Sequence, residues 1–330
     1  MIDACAHVWP GSRDEFVSYL DEPWRSRLFP GPERYHYALA QGEYAPGAPL
    51  VADGCTAVVL LPLTRGLHPN VNLATAICAA TNAWLVDRFL ATDPQLYGTI
   101  RVEPRDPVAA VAEVERWAEH PQMVQVGVPT QSLTPYGSPS YLPIWRAAAA
   151  HGLPVAVHTD GGSGVEFPPT AAGYPQHSLE FTTMAPLNWA FHLANLIAKG
   201  TFHWVEDLVV VFADGGFDLL WPLLWRLDKD WRGNRDEVPA AALAPGEYLR
   251  DHVRFVLHRF EGPASPGARR DWLAGSAGAE DLLLFGSNAP QWDHLTPQDA
   301  ADSLPQPMRE RVLRRNAEAI YAIGKEHRGA

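Results

Sequence analysis

MVQVGVPTQSLTPYGSPSYLPIWRAAAAHGLPVAVH, residues 123–158, contains a complete strand–helix–strand unit. Residues 123–128 and 154–158 are short apolar runs, as expected of strands buried on both faces. Between them, 140–151 is amphipathic and alanine-rich, and His151-Gly152 marks a helix stop. The pattern extends in both directions. Further apolar runs at 2–7, 57–61, 97–102, 208–213, 252–257 and 281–286 bring the strand count to eight. Helical stretches are expected at 72–89, 107–119, 186–199, 219–230, 269–274 and 307–323. Asp106-Pro107 is a helix start, an N-cap followed by proline at the first helical position.

Strand–helix alternation along a whole chain implies a parallel sheet, and eight strands favour its closure into a (β/α)₈ barrel. The open, doubly wound alternative most often carries a glycine-rich loop after its first strand. Here that strand is followed by VWPGSRDEF, with no G-x-G-x-x-G. A barrel of this kind makes residues 1–330 one domain. Long loops are expected at about 8–52, 159–185 and 231–250, the first two at the mouth of the pocket.

Composition narrows the partners. A net charge of −12 argues against nucleic acid or an anionic membrane surface. Three cysteines, Cys5, Cys55 and Cys78, cannot all pair within one chain, which fits a reducing compartment. The N-terminus MIDACAHVWP has no signal-peptide pattern, and no apolar run is long enough to span a bilayer. A cytoplasmic enzyme acting on a small molecule is the expectation.

In a barrel the chemistry sits where the strands end. The first strand ends Cys5-Ala6-His7, and i, i+2 spacing sends Cys5 and His7 to the same, inward side. Thiolate and imidazole are preferred zinc ligands. The fifth strand ends at His158, the sixth at Asp214, the eighth at Asn288, and the seventh runs toward His258. Each has a plainer reading: a small buried hydrophobe for Cys5, a hydrogen-bonded core histidine for His7, a loop histidine for His158, a helix cap for Asp214. Their coincidence at strand ends favours a pocket. His68, His177, His192, His203, His252 and His294 are expected to be structural. Trp221, Trp225 and Trp231 form a helical stripe suited to core or subunit interface. Residues 247–250 (EYLR) were candidates to reach a pocket or a neighbouring subunit.

These segments resemble the metal-dependent amidohydrolase-related group that includes aminocarboxymuconate-semialdehyde decarboxylase and the resorcylate-type decarboxylases. The resemblance runs nearly end to end, from IDACAHVWP through YGTIRVEP and FADGGFDLLWPLLWRLDKDW to FGSNAPQWD. It implies a metal site with a D-x-H-x-H opening, a strand-5 histidine, often a strand-6 histidine, and a strand-8 aspartate. This chain departs at Cys5, Asp214 and Asn288, and also at Gln291, where the resemblance implies the histidine that often follows the strand-8 aspartate. His7 and His158 match. Cys5, His7 and His158 are thus the expected metal ligands. With Zn²⁺, one thiolate and two neutral imidazoles leave about +1 formal charge, as do three imidazoles and one carboxylate. Asp214 is the expected general base, and Asn288 is expected to position water or substrate by hydrogen bonding.

Three functions follow. The first is a zinc-dependent hydrolase or decarboxylase of a small organic acid, amide, ester or lactone. The second is a metal-free lyase, cyclase or isomerase using Asp214 with a histidine. The third is a non-catalytic partner of an active paralogue. The resemblance also implies a homodimer or a hetero-oligomer with such a paralogue.

Overall fold

The computed structural model describes residues 1–26, 51–52, 54–63, 68, 70–159, 172–173, 175–259, 262–291 and 293–323. Eight strands form one parallel sheet in chain order: β1 (Ile2–Val8), β2 (Ala57–Pro62), β3 (Leu96–Arg101), β4 (Met123–Pro129), β5 (Val155–His158), β6 (Val210–Phe212), β7 (Val253–Val256) and β8 (Leu283–Leu284). Closure is made by the chain just after β8. Ala4 N–H donates to the Phe285 carbonyl (2.8 Å), Asn288 N–H to Cys5 O (2.9 Å) and His7 N–H to Ala289 O (2.7 Å). The barrel is therefore the (β/α)₈ architecture expected from the alternation.

The strands are apolar on both faces because each face has its own core. Outward residues such as Ala6, Val8, Leu60, Val126 and Val128 join the cluster packed under the helices. Inward residues such as Cys5, Val59, Leu61, Ala156 and Val211 fill the bore. The inner cluster also includes Tyr321, from the C-terminal end of the chain. Its hydroxyl donates to Gln125 Oε1 (3.0 Å), Gln125 Nε2 donates to Thr99 Oγ1 (2.8 Å), and Thr99 donates to the Leu60 carbonyl (2.8 Å). This chain satisfies every polar group that Tyr321 brings into the bore.

Helix ends follow local chemistry. Asp106 accepts from Ala109 N–H and Pro107 occupies the first turn of Pro107–Trp117. The helix Leu142–Ala150 stops before Gly152, whose φ of +64° suits glycine. Other boundaries differ from expectation. The stretch 72–89 is an α-helix only over Val71–Leu85 and then widens into a π turn, Val86–Leu90. The eighth strand shrinks from 281–286 to two residues, because Ala279–Leu282 forms a helical turn.

The long loops carry short helices: Arg13–Val17 in 8–52, Ser178–Met184 in 159–185, and Pro245–Tyr248 in 231–250. Residues 27–50 and 160–171 of the first two lie outside the described residues. The EYLR segment does not reach the pocket. Tyr248 and Leu249 are buried, the Tyr248 ring lies 5.9 Å from Phe202, and Glu247 accepts from Ala244 N–H. Its apolar pair serves the packing that precedes β7. Of the tryptophan stripe, Trp225 is 70% exposed, whereas Trp231 packs against the core and donates to the Ala241 carbonyl. Among the described residues no helix is long and apolar enough to cross a membrane.

Candidate active site

Cys5 and His7 are delivered by an irregularity in β1. The register against β2 shifts between Asp3 and Ala6. There the buried Asp3 carboxylate accepts from the N–H groups of Cys5 (3.1 Å) and Ser287 (2.9 Å). Burial pushes the Asp3 carboxyl up to about 6, against the lowering effect of these bonds. Gly286 completes the fit. A Cβ there would meet Val256 Cγ1 at 2.2 Å and Cys5 Cβ at 3.1 Å, so a side chain would force Val256 aside and crowd the cysteine.

The structure brings Cys5, His7 and His158 together. Cys5 Sγ is 3.8 Å from His7 Nε2, and the His7 and His158 rings are 4.7 Å apart at 55°. One potential ligand atom from each of the three lies within 4.8 Å of the others, and all three residues are buried. A tetrahedral zinc ion with ordinary bond lengths separates its sulfur and nitrogen ligands by roughly 3.5 Å. The set is therefore slightly open and of the right kind.

Hydrogen bonds assign the imidazole protons. A carbonyl only accepts, so the contact between His158 Nδ1 and Thr159 O (2.8 Å) puts the proton on Nδ1 and leaves Nε2 a lone pair. His7 Nδ1 faces the Leu61 carbonyl at 3.0 Å in the same way. Burial pushes His7 down to about 4, so it is neutral at pH 7 and carries one N–H. Yet its Nε2 lies 2.9 Å from Asn288 Oδ1. The amide cannot turn over to donate, because Asn288 Nδ2 is already committed to Asp293 Oδ1 at 2.8 Å. Whichever tautomer His7 adopts, one lone pair faces another oxygen. A cation beside Nε2 and Oδ1 removes the conflict, so the donor set fits a metal ion.

Asn288 is held for this contact by its backbone. It is the one non-glycine residue with positive φ (+57°) among those described, in the left-handed region that asparagine tolerates. Asp214 follows β6 and is 5% exposed. It does not cap the next helical turn, Phe217–Leu219, where Gly216 stands at the N-cap with φ of +91°. Its Oδ1 lies 3.9 Å from His258 Nε2.

Asp293 was not among the residues singled out from sequence, and His258 was named at the end of the seventh strand without a role. Asp293 was visible as the aspartate of SNAPQWD, but its role depends on the turn after Asn288. His258 follows β7 in the turn Leu257–Arg259, past the strand end, so period-2 reasoning did not aim it. Of the histidines expected to be structural, His192 and His252 are: His192 Nε2 donates to Thr130 O (2.6 Å) and His252 Nδ1 to Leu208 O (2.8 Å).

Among solved structures, an amidohydrolase from Mycobacterium avium subsp. paratuberculosis is similar over 97% of this chain and 98% of its own, at 19% identity and a TM-score of 0.72. The 2,6-dihydroxybenzoate decarboxylase from Rhizobium is similar over 97% of both chains, at 18% identity and a TM-score of 0.65. A dihydroxybenzoic acid decarboxylase from a Polaromonas species, with bound manganese and the inhibitor 2-nitroresorcinol, is similar over 98% of this chain and 97% of its own, at 17% identity and a TM-score of 0.64. At these identities the likeness is one of fold. A sequence search of curated proteins finds no match. The family model described as amidohydrolase matches residues 2–323. The chain therefore belongs to the amidohydrolase family, and with it to the enzymes, hydrolases or carbon–carbon lyases.

Proposed function

We propose that this protein is a zinc-dependent decarboxylase of a small hydroxy-substituted aromatic acid. The observation that supports the metal is the convergence of Cys5, His7 and His158, where a neutral His7 has one proton for two oxygen acceptors, Asn288 Oδ1 at 2.9 Å and Leu61 O at 3.0 Å. Cys5, His7 and His158 would hold the ion, with the Asn288 amide oxygen beside it. A thiolate favours zinc over the harder manganese bound in the Polaromonas decarboxylase. When bound, the ion supplies a positive charge that binds and orients the acidic oxygens of the substrate.

The substitution at position 288 favours decarboxylation over hydrolysis. Hydrolysis needs a base beside the attacking water, and an amide takes no proton near pH 7. Decarboxylation needs instead a proton for the carbon that loses its carboxylate, and Asp214 is the buried acid at the neighbouring strand ends. The protonated Asp214 gives its proton to that ring carbon. The carbon–carboxylate bond then breaks, its electron pair returns to the ring, and CO₂ leaves. Asp214 regains a proton from solvent, so one carboxylate and one proton become an arene and CO₂. The fold likeness to two dihydroxybenzoate decarboxylases supports the substrate class.

The test joins metal analysis to turnover. Protein purified without added metal is expected to hold about one zinc per chain and to release CO₂ from at least one member of a hydroxybenzoate panel. Chelation should abolish that release and zinc restore it. A zinc content below about a tenth per chain, with turnover indifferent to chelation, would sink the metal reading.

A further inference from the structure

Two fully enclosed histidines outside the ligand set differ in one respect. His192 has both ring nitrogens engaged: Nε2 donates to the Thr130 carbonyl (2.6 Å) and Nδ1 accepts from Tyr136 N–H (3.2 Å). Its ring stacks on Tyr136 at 4.3 Å. That is a finished structural contact. The His258 side chain is 0% exposed, and neither of its ring nitrogens has a hydrogen-bond partner among the described residues. Burying an imidazole this way carries its desolvation cost with no hydrogen bond in return. Packing alone would be better served by an apolar side chain.

Its position explains what the group faces. β6 and β7 are hydrogen-bonded neighbours, in register at Val210 with Val253 and Phe212 with Phe255. Asp214 follows one strand and His258 the other, at the end where Cys5, His7 and His158 converge. Nε2 of His258 lies 3.9 Å from Asp214 Oδ1, and both groups act electrostatically on His7. A movement of about 1 Å turns the 3.9 Å contact into a hydrogen bond. Where the resemblance implies a histidine on strand 6, this chain has a carboxylate there and an imidazole one strand over.

We infer that His258 is a positioning residue for Asp214, its Nε2–H donating to Asp214 Oδ1 and holding the carboxyl group toward the substrate carbon. The inference rests on the reading of Asp214 as the proton donor. In the neutral imidazole the donating proton sits on Nε2, which leaves Nδ1 a lone pair. After Asp214 has given up its proton, the same N–H stabilises the carboxylate that remains. A purely packing role for His258 would require no such link.

Two measurements on the full-length, zinc-loaded protein test the pair. The first needs no substrate: long-range ¹H–¹⁵N spectra of histidine-labelled protein, with His258 assigned by His258→Gln. The expected result is an Nε2–H tautomer for His258 whose ring resonances move in Asp214→Asn, while those of His192 stay in place. Unchanged His258 resonances in a folded Asp214→Asn protein overturn the inference. Should Asp214→Asn fail to fold, Asp214→Glu, which keeps the charge and moves the oxygens, serves the same comparison. The second measurement uses whichever hydroxybenzoate is turned over. His258→Gln is expected to lower kcat by at least about tenfold with KM little changed, and to add nothing further in an Asp214→Asn background. Multiplicative losses in the double variant overturn the inference. If no member of the panel is turned over, the decarboxylase reading fails, and the spectra still decide the pair.

Discussion

His7 faces two oxygen acceptors, Asn288 Oδ1 at 2.9 Å from Nε2 and the Leu61 carbonyl at 3.0 Å from Nδ1, with one ring proton between them. The Asn288 contact joins β1 to the turn after β8 across the seam where the barrel closes. Asp293 fixes the amide by accepting from Asn288 Nδ2, and the Leu61 carbonyl holds the other ring nitrogen of His7. In either neutral tautomer one of the two contacts sets a lone pair against an oxygen, and a cation beside Nε2 and Oδ1 relieves it.

Asn288→Asp tests this arrangement. The new carboxylate would meet Asp293 Oδ1 where an amide now donates at 2.8 Å. Without metal, the variant is expected to lose about 1–3 kcal/mol in denaturant unfolding. Zinc should restore more stability to it than to the wild type, because the added charge binds the ion. Equal zinc-dependent gains in the two proteins would contradict the assignment of Oδ1 to the metal.

Cys5→Asp keeps one negative charge in the ligand set and exchanges a soft donor for a hard one. The preference for zinc over manganese is expected to fall by about tenfold or more. Competition between the two ions, read by metal content after dialysis, measures the change. An unaltered preference would mean that Cys5 is not a ligand.

At the opposite end of the bore, Tyr321→Phe removes the donor that satisfies Gln125 Oε1. The expected loss is about 1–2 kcal/mol. Tyr321→Ala should cost more, about 3–5 kcal/mol, since it also leaves a cavity in the inner core. Zinc content should stay the same in both, and thermal unfolding with metal analysis checks the two halves of this prediction.

His192 provides a pH signature away from the metal. Burial pushes it from 6.5 down to about 4, so between those values the unfolded chain binds a proton that the folded chain does not. Its neutral form is favoured on folding, and that contribution is fully present above pH 6.5 and lost as pH falls toward 4. The shift corresponds to about 3 kcal/mol. His192→Gln should therefore be less stable than wild type at pH 7 and close that gap as pH drops to 4. A gap that stays constant with pH would show that His192 is not buried neutral.

The sequence by itself determined the strand–helix alternation, the eight strands and the end of the barrel at which Cys5, His7, His158, Asp214 and Asn288 would stand. Apolar runs and period-2 spacing carry that information locally, because the face a residue occupies depends on its neighbours along the chain. Tertiary structure alone decided the rest. That Asn288 turns its oxygen and not its nitrogen toward His7 depends on Asp293 and on a left-handed backbone at position 288. That His7 has two oxygens for its one proton depends on the Leu61 carbonyl of the next strand. That His258 meets Asp214 depends on the turn after β7, beyond the reach of strand periodicity. Hydrogen-bond partners and amide orientation are set by residues distant in sequence, which periodicity along the chain does not encode.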